Sequence, residues 1–246
     1  MTLNVEGLHR NVHNLRNLVS FHDPDWVFLS ETQIFVSDID LCLDYFKGDY
    51  ESYLNSQDRF DPEMPLMKTK AFGGTMIMWR RDYDPYVTLY PPPSSAILPV
   101  IFHPPGLAKT IHICVYLPTH GHDEIFLGEI EKLMILLTDL SVHHPGTPVF
   151  IRGDFNVNEK NSKRRTLLDH LLADFSLIEM QIDHPTYHHF MGNGRSDSNI
   201  DKVLCPTNTL ETLLYILCRN EDPIVNISSS HDIIMSSWPA RLQTTR

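Results

Sequence analysis

PVFIRGDFN, residues 148–156, is the stretch from which the rest of the chain is read. Val149, Phe150 and Ile151 are β-branched or aromatic, which favours a strand. Gly153 permits a tight exit from it. Asp154 and Asn156 then alternate with Phe155, so both polar side chains face one way while the ring packs on the other side. Such a carboxylate at a strand end can open a simple Asx turn. It can equally form one wall of a cleft, because loops at sheet ends gather functional side chains. These four residues, GDFN, leave both readings open.

Outward from that stretch, apolar runs alternate with helical patterns. Upstream, EIFLGEIEKLMILLTDLSV (124–142) has the spacing of an amphipathic helix, closed by HHPGTP. Downstream, a basic helix is expected from Lys160 to Ala173, followed by LIEM, a polar segment reaching Asn199, then IDKVLC, LETLLYILC and IIMSSW. Nearer the N-terminus, LNVEGL (3–8) reads as β-like and HRNVHNLRNLVSFH as a helix, with Val12, Leu15, Leu18 and Val19 at helical spacing. DPDWVFLSE is a turn and a strand ending at Glu31. Residues 36–70 read as a short helix and an irregular excursion. GGTMIMW, YVTLY, AILPVIFH and TIHICVYL follow as strands. No repeat or linker interrupts the 246 residues, so one α/β domain spanning 1–246 is expected. Antiparallel runs with no helix between each pair point to packed sheets rather than a doubly wound sheet.

The formal charge of −11 disfavours a protein that works by non-specific attraction to phosphate. It leaves nucleic acid open as a substrate, since a metal site built from carboxylates is itself acidic. No apolar run reaches membrane-spanning length, and MTLNVEGLHR lacks a signal-peptide core. Cys42, Cys114, Cys205 and Cys218 show no CxxC spacing, which fits a reducing, intracellular setting.

Several polar residues stand at strand ends: Asn4, Glu31, Tyr116, Asp154, Asn156 and Asp201. Glu31 suits a hard cation such as Mg²⁺, which takes one or two carboxylates plus water and phosphate oxygens; an exposed strand-end acid is the plain alternative. Asn4 alone reads as a polar residue on a strand face, and Tyr116 alone as a rim or core aromatic. The pairs His143–His144 and His188–His189 lack ligand spacing and read as surface or capping residues, with a place on a cleft rim as the alternative for His184, His188 and His189 just upstream of SDSNID. KNSKRR (160–165) reads as a solvated helix face that could also meet phosphates. SSSHDIIM (228–235) holds a histidine beside an acid, open to catalytic, metal-binding and turn readings alike.

Taken in order, LNVEGL, LSETQ, VYLP, GDFN, SNIDKVL and SSHDII resemble the endonuclease/exonuclease/phosphatase superfamily. The strand-initial LNVEGL, GGTMIMW, and PTYHHF running into SDSNIDKVL are most similar to the apurinic-type endonuclease domain of non-LTR (LINE-type) retrotransposons. The resemblance implies a DNase I-like four-layer α/β/β/α sandwich and a Mg²⁺-dependent phosphodiesterase, with Mn²⁺ as a substitute. On that pattern Glu31 binds the metal with Asn4 beside it. Asp154 orients or deprotonates the attacking water, and Asn156 and Tyr116 contact the scissile phosphate. His231 meets a non-bridging oxygen, with Asp201 fixing its tautomer.

The last motif departs from the family's Ser-Asp-His: Ser230 stands where the aspartate belongs. If the strand alternation holds there, positions 230 and 232 share a side and Asp232 is a candidate metal ligand in its place; otherwise Asp232 faces solvent. The implied function is nicking of DNA to prime reverse transcription, in the nucleus, by a monomeric domain cut from a larger polyprotein with a reverse transcriptase. An RNA exonuclease or deadenylase, an inositol-phosphate phosphatase, and a degenerate copy kept as a binding module are the alternatives.

Overall fold

The computed structural model describes residues 1–61, 71–158, 162–182, 184–191, 194–212, 215–219 and 229–238. Two six-stranded mixed sheets lie face to face among these residues. The first runs β13-β14-β1-β2-β4-β3 and is built from β1 (Thr2–Asn4), β2 (Trp26–Ser30), β3 (Tyr50–Asn55), β4 (Thr75–Arg80), β13 (Tyr215–Arg219) and β14 (Ile233–Ser237). The second runs β5-β6-β7-β8-β12-β9, from β5 (Val87–Leu89), β6 (Ile97–Phe102), β7 (Thr110–Tyr116), β8 (Val149–Asp154), β9 (Leu177–Glu179) and β12 (Asp201–Pro206). A separate hairpin, β10 (Tyr187–Met191) with β11 (Gly194–Ser198), belongs to neither. The fold class expected from the sequence is the one observed.

Helices cover the outer faces. The first, α1 (Leu8–His22), buries Leu8, Val12, Leu15, Leu18 and Val19 in one cluster with Leu3, Val27, Leu29 and Met78. It ends where Asp23 turns left-handed (φ 47°) ahead of Pro24, which cannot continue a helix. The short α2 (Ile39–Leu43) packs beside it through Cys42. Behind the second sheet, α3 (Asp123–His143) buries Phe126, Ile130, Leu133, Leu137 and Leu140 against Ile111, Ile113, Val115 and Ile151, and α4 (Ser162–Asp174) adds Leu168 and Leu171. Between the sheets lie Phe28, Ile77, Trp79, Leu98, Val100 and Cys114.

The two-residue period of a strand explains where the site forms. On β7, Ile111, Ile113 and Val115 face α3, so His112, Cys114 and Tyr116 face the other sheet. On β8, Ile151 faces α3, while Phe150 joins Val203, Cys205 and Ile234 in the interface between sheets. Asp154 lies two and four residues on from Arg152 and Phe150, hence on that same inner face. Register then aligns the chemistry, for Tyr116 pairs with Asp154 and Asp154 with Asp201.

Two elements were not legible in the sequence. β3 lies inside the stretch read as irregular, where its Tyr50 and Leu54 join the α1 cluster. The polar segment before Asn199 forms the β10–β11 hairpin, whose polar strands lack the alternation of a half-buried sheet. Part of the excursion, residues 62–70, lies outside the described residues.

Candidate active site

Asp154, Asp201 and His231 bring their ligand-capable atoms within 4.8 Å of one another, all three side chains buried. His231 Nδ1 donates to Asp201 Oδ2 at 2.7 Å, which fixes the tautomer. Burial works against a charged imidazole, but the adjacent Asp201, with Asp154 and Glu6 further off, carries its pKa up to about 9. Asp154 moves the other way from a normal acid. Burial, then the charge of Asp201, push its pKa up to about 7, against the pull of His231 and of hydrogen bonds from the Asn156 amide and Asn4.

Asn4 joins the two sheets at this point. Its side-chain amide donates to Glu31 Oε2 and to Asp154 Oδ2, both at 3.0 Å, and its carbonyl oxygen accepts the Glu6 N–H at 2.9 Å. Glu31 also accepts Gln33 Nε2 at 2.7 Å. The Asn156 amide N–H closes a turn on Asp154 Oδ1 at 2.9 Å, and its side chain donates to the Leu117 carbonyl at 2.8 Å. Burial, then Glu31, Asp154 and Glu6, raise the pKa of Tyr116, so the phenol keeps its proton as a donor. The structure thus brings Asn4, Glu31, Tyr116, Asp154, Asn156, Asp201 and His231 to one end of the sheets.

Backbone strain collects here as well. Glu6, Glu31, Gln33 and Asn156 are non-glycine residues with φ between 43° and 55°. Such residues persist only where the surroundings hold them, which is common at functional sites. Gly74 (φ 87°) lets the next loop close on this one: a Cβ there would lie 2.5 Å from Thr32 Oγ1.

Asp232 is not part of this group. β14 begins only at Ile233 and Ser230 lies in a bend, and the Asp232 carboxylate is turned to the hairpin instead. Asp232 is buried, so it does not face solvent either; its Oδ2 accepts His188 Nε2 at 2.8 Å. His188 is accordingly a buried, bonded residue and not a surface one. The carboxylate that reaches Ser230 is Glu6, which accepts the Ser230 N–H at 3.1 Å and its hydroxyl. Sequence reading passed over Glu6, although its place two residues after Asn4 in LNVEGL is the signal that could have found it. Within KNSKRR, Arg164 is buried and Arg165 pairs with Asp169 and Glu179, so neither is presented to a phosphate; Lys160 lies outside the described residues.

The family model described as the Endonuclease/Exonuclease/phosphatase family matches residues 1–231. The chain belongs to that family. Solved members of similar shape confirm the fold. The endonuclease domain of TRAS1, a telomere-specific non-LTR retrotransposon, superposes with a TM-score of 0.70 at 15% identity, over 99% of this chain and 98% of that one. The AP endonuclease LMAP from Leishmania major gives 0.77 at 13% identity, over 96% and 85%. The 3′ phosphatase NExo from Neisseria, bound to a product DNA hairpin, gives 0.71 at 16%, over 97% and 98%. No curated protein sequence matches. Family membership makes the Asp154–Asp201–His231 group the candidate centre of a nuclease or phosphatase fold.

The donor set fits a divalent cation. Asp201 Oδ1 is buried with no hydrogen-bond partner among the described residues, and Asp154 is buried beside the like charge of Asp201. A hard cation with oxygen ligands relieves both conditions.

Proposed function

We propose that the chain is a divalent-metal-dependent phosphodiesterase that cuts DNA internally, and that it nicks target DNA to prime reverse transcription for a LINE-type element. The observation that carries this reading is the bridged group itself: Asn4 linking Glu31 to Asp154 across the two sheets, with the Asp201–His231 pair beside it. Glu31 with Asn4 would hold the cation, Mg²⁺ or in its place Mn²⁺, and Glu6 supplies a further carboxylate at the same rim. Bound there, the cation would offset charge building on the phosphoryl oxygens.

The other roles belong to the side chains. Asp154, with a pKa near neutrality, suits the proton acceptor for an attacking water. His231, positively charged at neutral pH and held by Asp201, presents a charge-assisted donor to a non-bridging oxygen. Asn156 and the protonated Tyr116 complete the donors around the phosphate. The serine at 230 does not argue for a degenerate copy, because Glu6 places a carboxylate against it.

DNA as substrate, a nuclear setting and a reverse transcriptase in the same polyprotein rest on the likeness to retrotransposon endonuclease motifs. Neighbouring domains would then contribute the DNA affinity that a chain with charge −11 lacks. Incubation with supercoiled plasmid and Mg²⁺ tests the reading. Relaxed circles are expected, absent with Asp154→Ala and with His231→Ala. No nicking, together with turnover of poly(A) or an inositol phosphate, would overturn it.

A further inference from the structure

The β10–β11 hairpin pairs with neither large sheet, and a two-stranded hairpin is marginal by itself in water. Its position beside the site therefore depends on what holds its root. Thr186, fully buried, accepts the N–H groups of Ile200 and Asp201 on its hydroxyl and the N–H of Asp232 on its carbonyl. His188 N–H donates to the Ser230 carbonyl at 2.9 Å, and Tyr187 bridges His231. Residues 186–188 thus run antiparallel to 230–232, the segment that carries His231.

The side chains of His188 and Asp232 reinforce this seam. His188 Nε2 meets Asp232 Oδ2 at 2.8 Å, with the two side chains only 10% and 9% exposed. His188 Nδ1 lies 2.8 Å from Asp197 Oδ1, which Arg195 Nε also reaches at 2.6 Å. The link runs from β11 through His188 to the residue after His231. Tyr187, on the opposite face from His188, has its ring centroid 4.7 Å from that of His231. Neither His188 nor Asp232 belongs to the group of Asp154, Asp201 and His231.

Burying a polar pair gains little stability over an apolar one, but its directional bond admits fewer arrangements. We propose that His188 and Asp232 are a positioning pair, which docks the β10–β11 hairpin in one register on the His231 segment and holds Tyr187 against the histidine ring. Asp232 thereby acts on the hairpin and not on the metal. The kinetic consequence rests on the nuclease reading above; the docking does not.

Hydrogen exchange of residues 186–198 reads the docking without turnover. Asp232→Ala and His188→Ala should each raise exchange there about tenfold or more, with the rest of the chain unchanged. Asp232→Asn, which keeps an acceptor for His188, should retain protection. In plasmid nicking, each Ala variant should lose about 10- to 100-fold in kcat/KM. The Mg²⁺ concentration for half-maximal rate should stay within about twofold, and the double variant should be no worse than either single one, as for residues acting as a unit. Unchanged exchange in the hairpin, or additive losses, would refute the pair. A sharply raised Mg²⁺ requirement in Asp232→Ala would instead make Asp232 a metal ligand. If the wild-type chain cuts no DNA, the exchange result still decides the docking.

Discussion

A carboxylate pushed up to a pKa of about 7 by burial and by Asp201 is a cost to the folded chain at neutral pH. Its folded pKa lies above the ordinary 3.8, so the cost is absent below that value, grows as pH rises, and is complete above about 7. Asp154→Asn should therefore stabilise the metal-free protein while abolishing cleavage. A gain of about 1–2 kcal/mol is expected from urea unfolding at pH 8 with chelator, shrinking to nothing near pH 3. No gain at pH 8 would mean that the carboxylate is compensated in another way. Glu6 gives a second prediction at this scale. If its carboxylate stands in for the missing aspartate, Glu6→Ala should raise the Mg²⁺ concentration for half-maximal nicking about tenfold or more, whereas Asp232→Ala should not. Asp154, Asn156 and Glu31 could be picked out in the sequence because each ends an apolar run. Glu6 was passed over, since its one signal, a place two residues after Asn4 in LNVEGL, is slight beside its contact with Ser230.

Single residues also decide how strands leave the sheet and how loops are held. Gly153 has φ 137°, and a Cβ there would lie 2.0 Å from the Val115 carbonyl oxygen in the paired strand β7. Main chain cannot yield as a flexible side chain can, so Gly153→Ala should cost about 4 kcal/mol or more, beyond the usual range for a point change. A soluble variant with a near-wild-type urea midpoint would contradict this. Arg164 on α4 acts at longer range. Its side chain is 2% exposed, donates to the carbonyls of Pro118, Thr119 and Asn156, pairs with the mostly exposed Asp123, and lies 4.2 Å over the Phe126 ring. It ties the loop after β7 to the one after β8, and Asn156 sits in the second of these at φ 50°. Arg164→Met keeps much of the packing but removes the donor to the Pro118 and Asn156 carbonyls, at about 1–3 kcal/mol each, while the Thr119 carbonyl keeps the His122 N–H. Loss of about 3 kcal/mol and a lower nicking rate are expected; full stability with the rate intact would show that the clamp is dispensable. The sequence places this arginine in a basic run that reads as a solvated face, and only packing shows it turned inward.

Across the whole molecule, the interface between sheets contains a cation as well as hydrocarbon. Arg152 is buried there among the rings of Phe28, Phe150 and Trp238, and its Nη1 lies 3.1 Å from His112 Nδ1. His112 itself stacks between Trp26 and Phe150. Burial, and secondarily the charge of Arg152, hold its pKa well below 6.5. In the unfolded chain His112 takes up a proton near that ordinary value, so acidification favours unfolding. By itself this lowers stability as pH drops below about 6.5, by up to about 1.4 kcal/mol per pH unit, opposite in sign to the contribution of Asp154. Between about pH 6.5 and 5, His112→Gln should shift the slope of urea stability against pH by up to that amount, and a slope unchanged from wild type would assign no part of it to His112.

The sequence by itself determined the alternation of strands and helices, because hydrophobic period is a local property, and its ordered motifs carried the resemblance to the family, which in turn implied the four-layer class. It also determined most of the residues that meet at the site, since each closes a run whose inner face is set by a two-residue period. Only the tertiary structure decided which carboxylates share that site. Asp232 and Glu6 sit outside the named strands, so their directions follow from what lies opposite: His188 on a polar hairpin for one, Ser230 and the strained β1 loop for the other. Such pairings join positions far apart in the chain through single hydrogen bonds, and no local pattern encodes them.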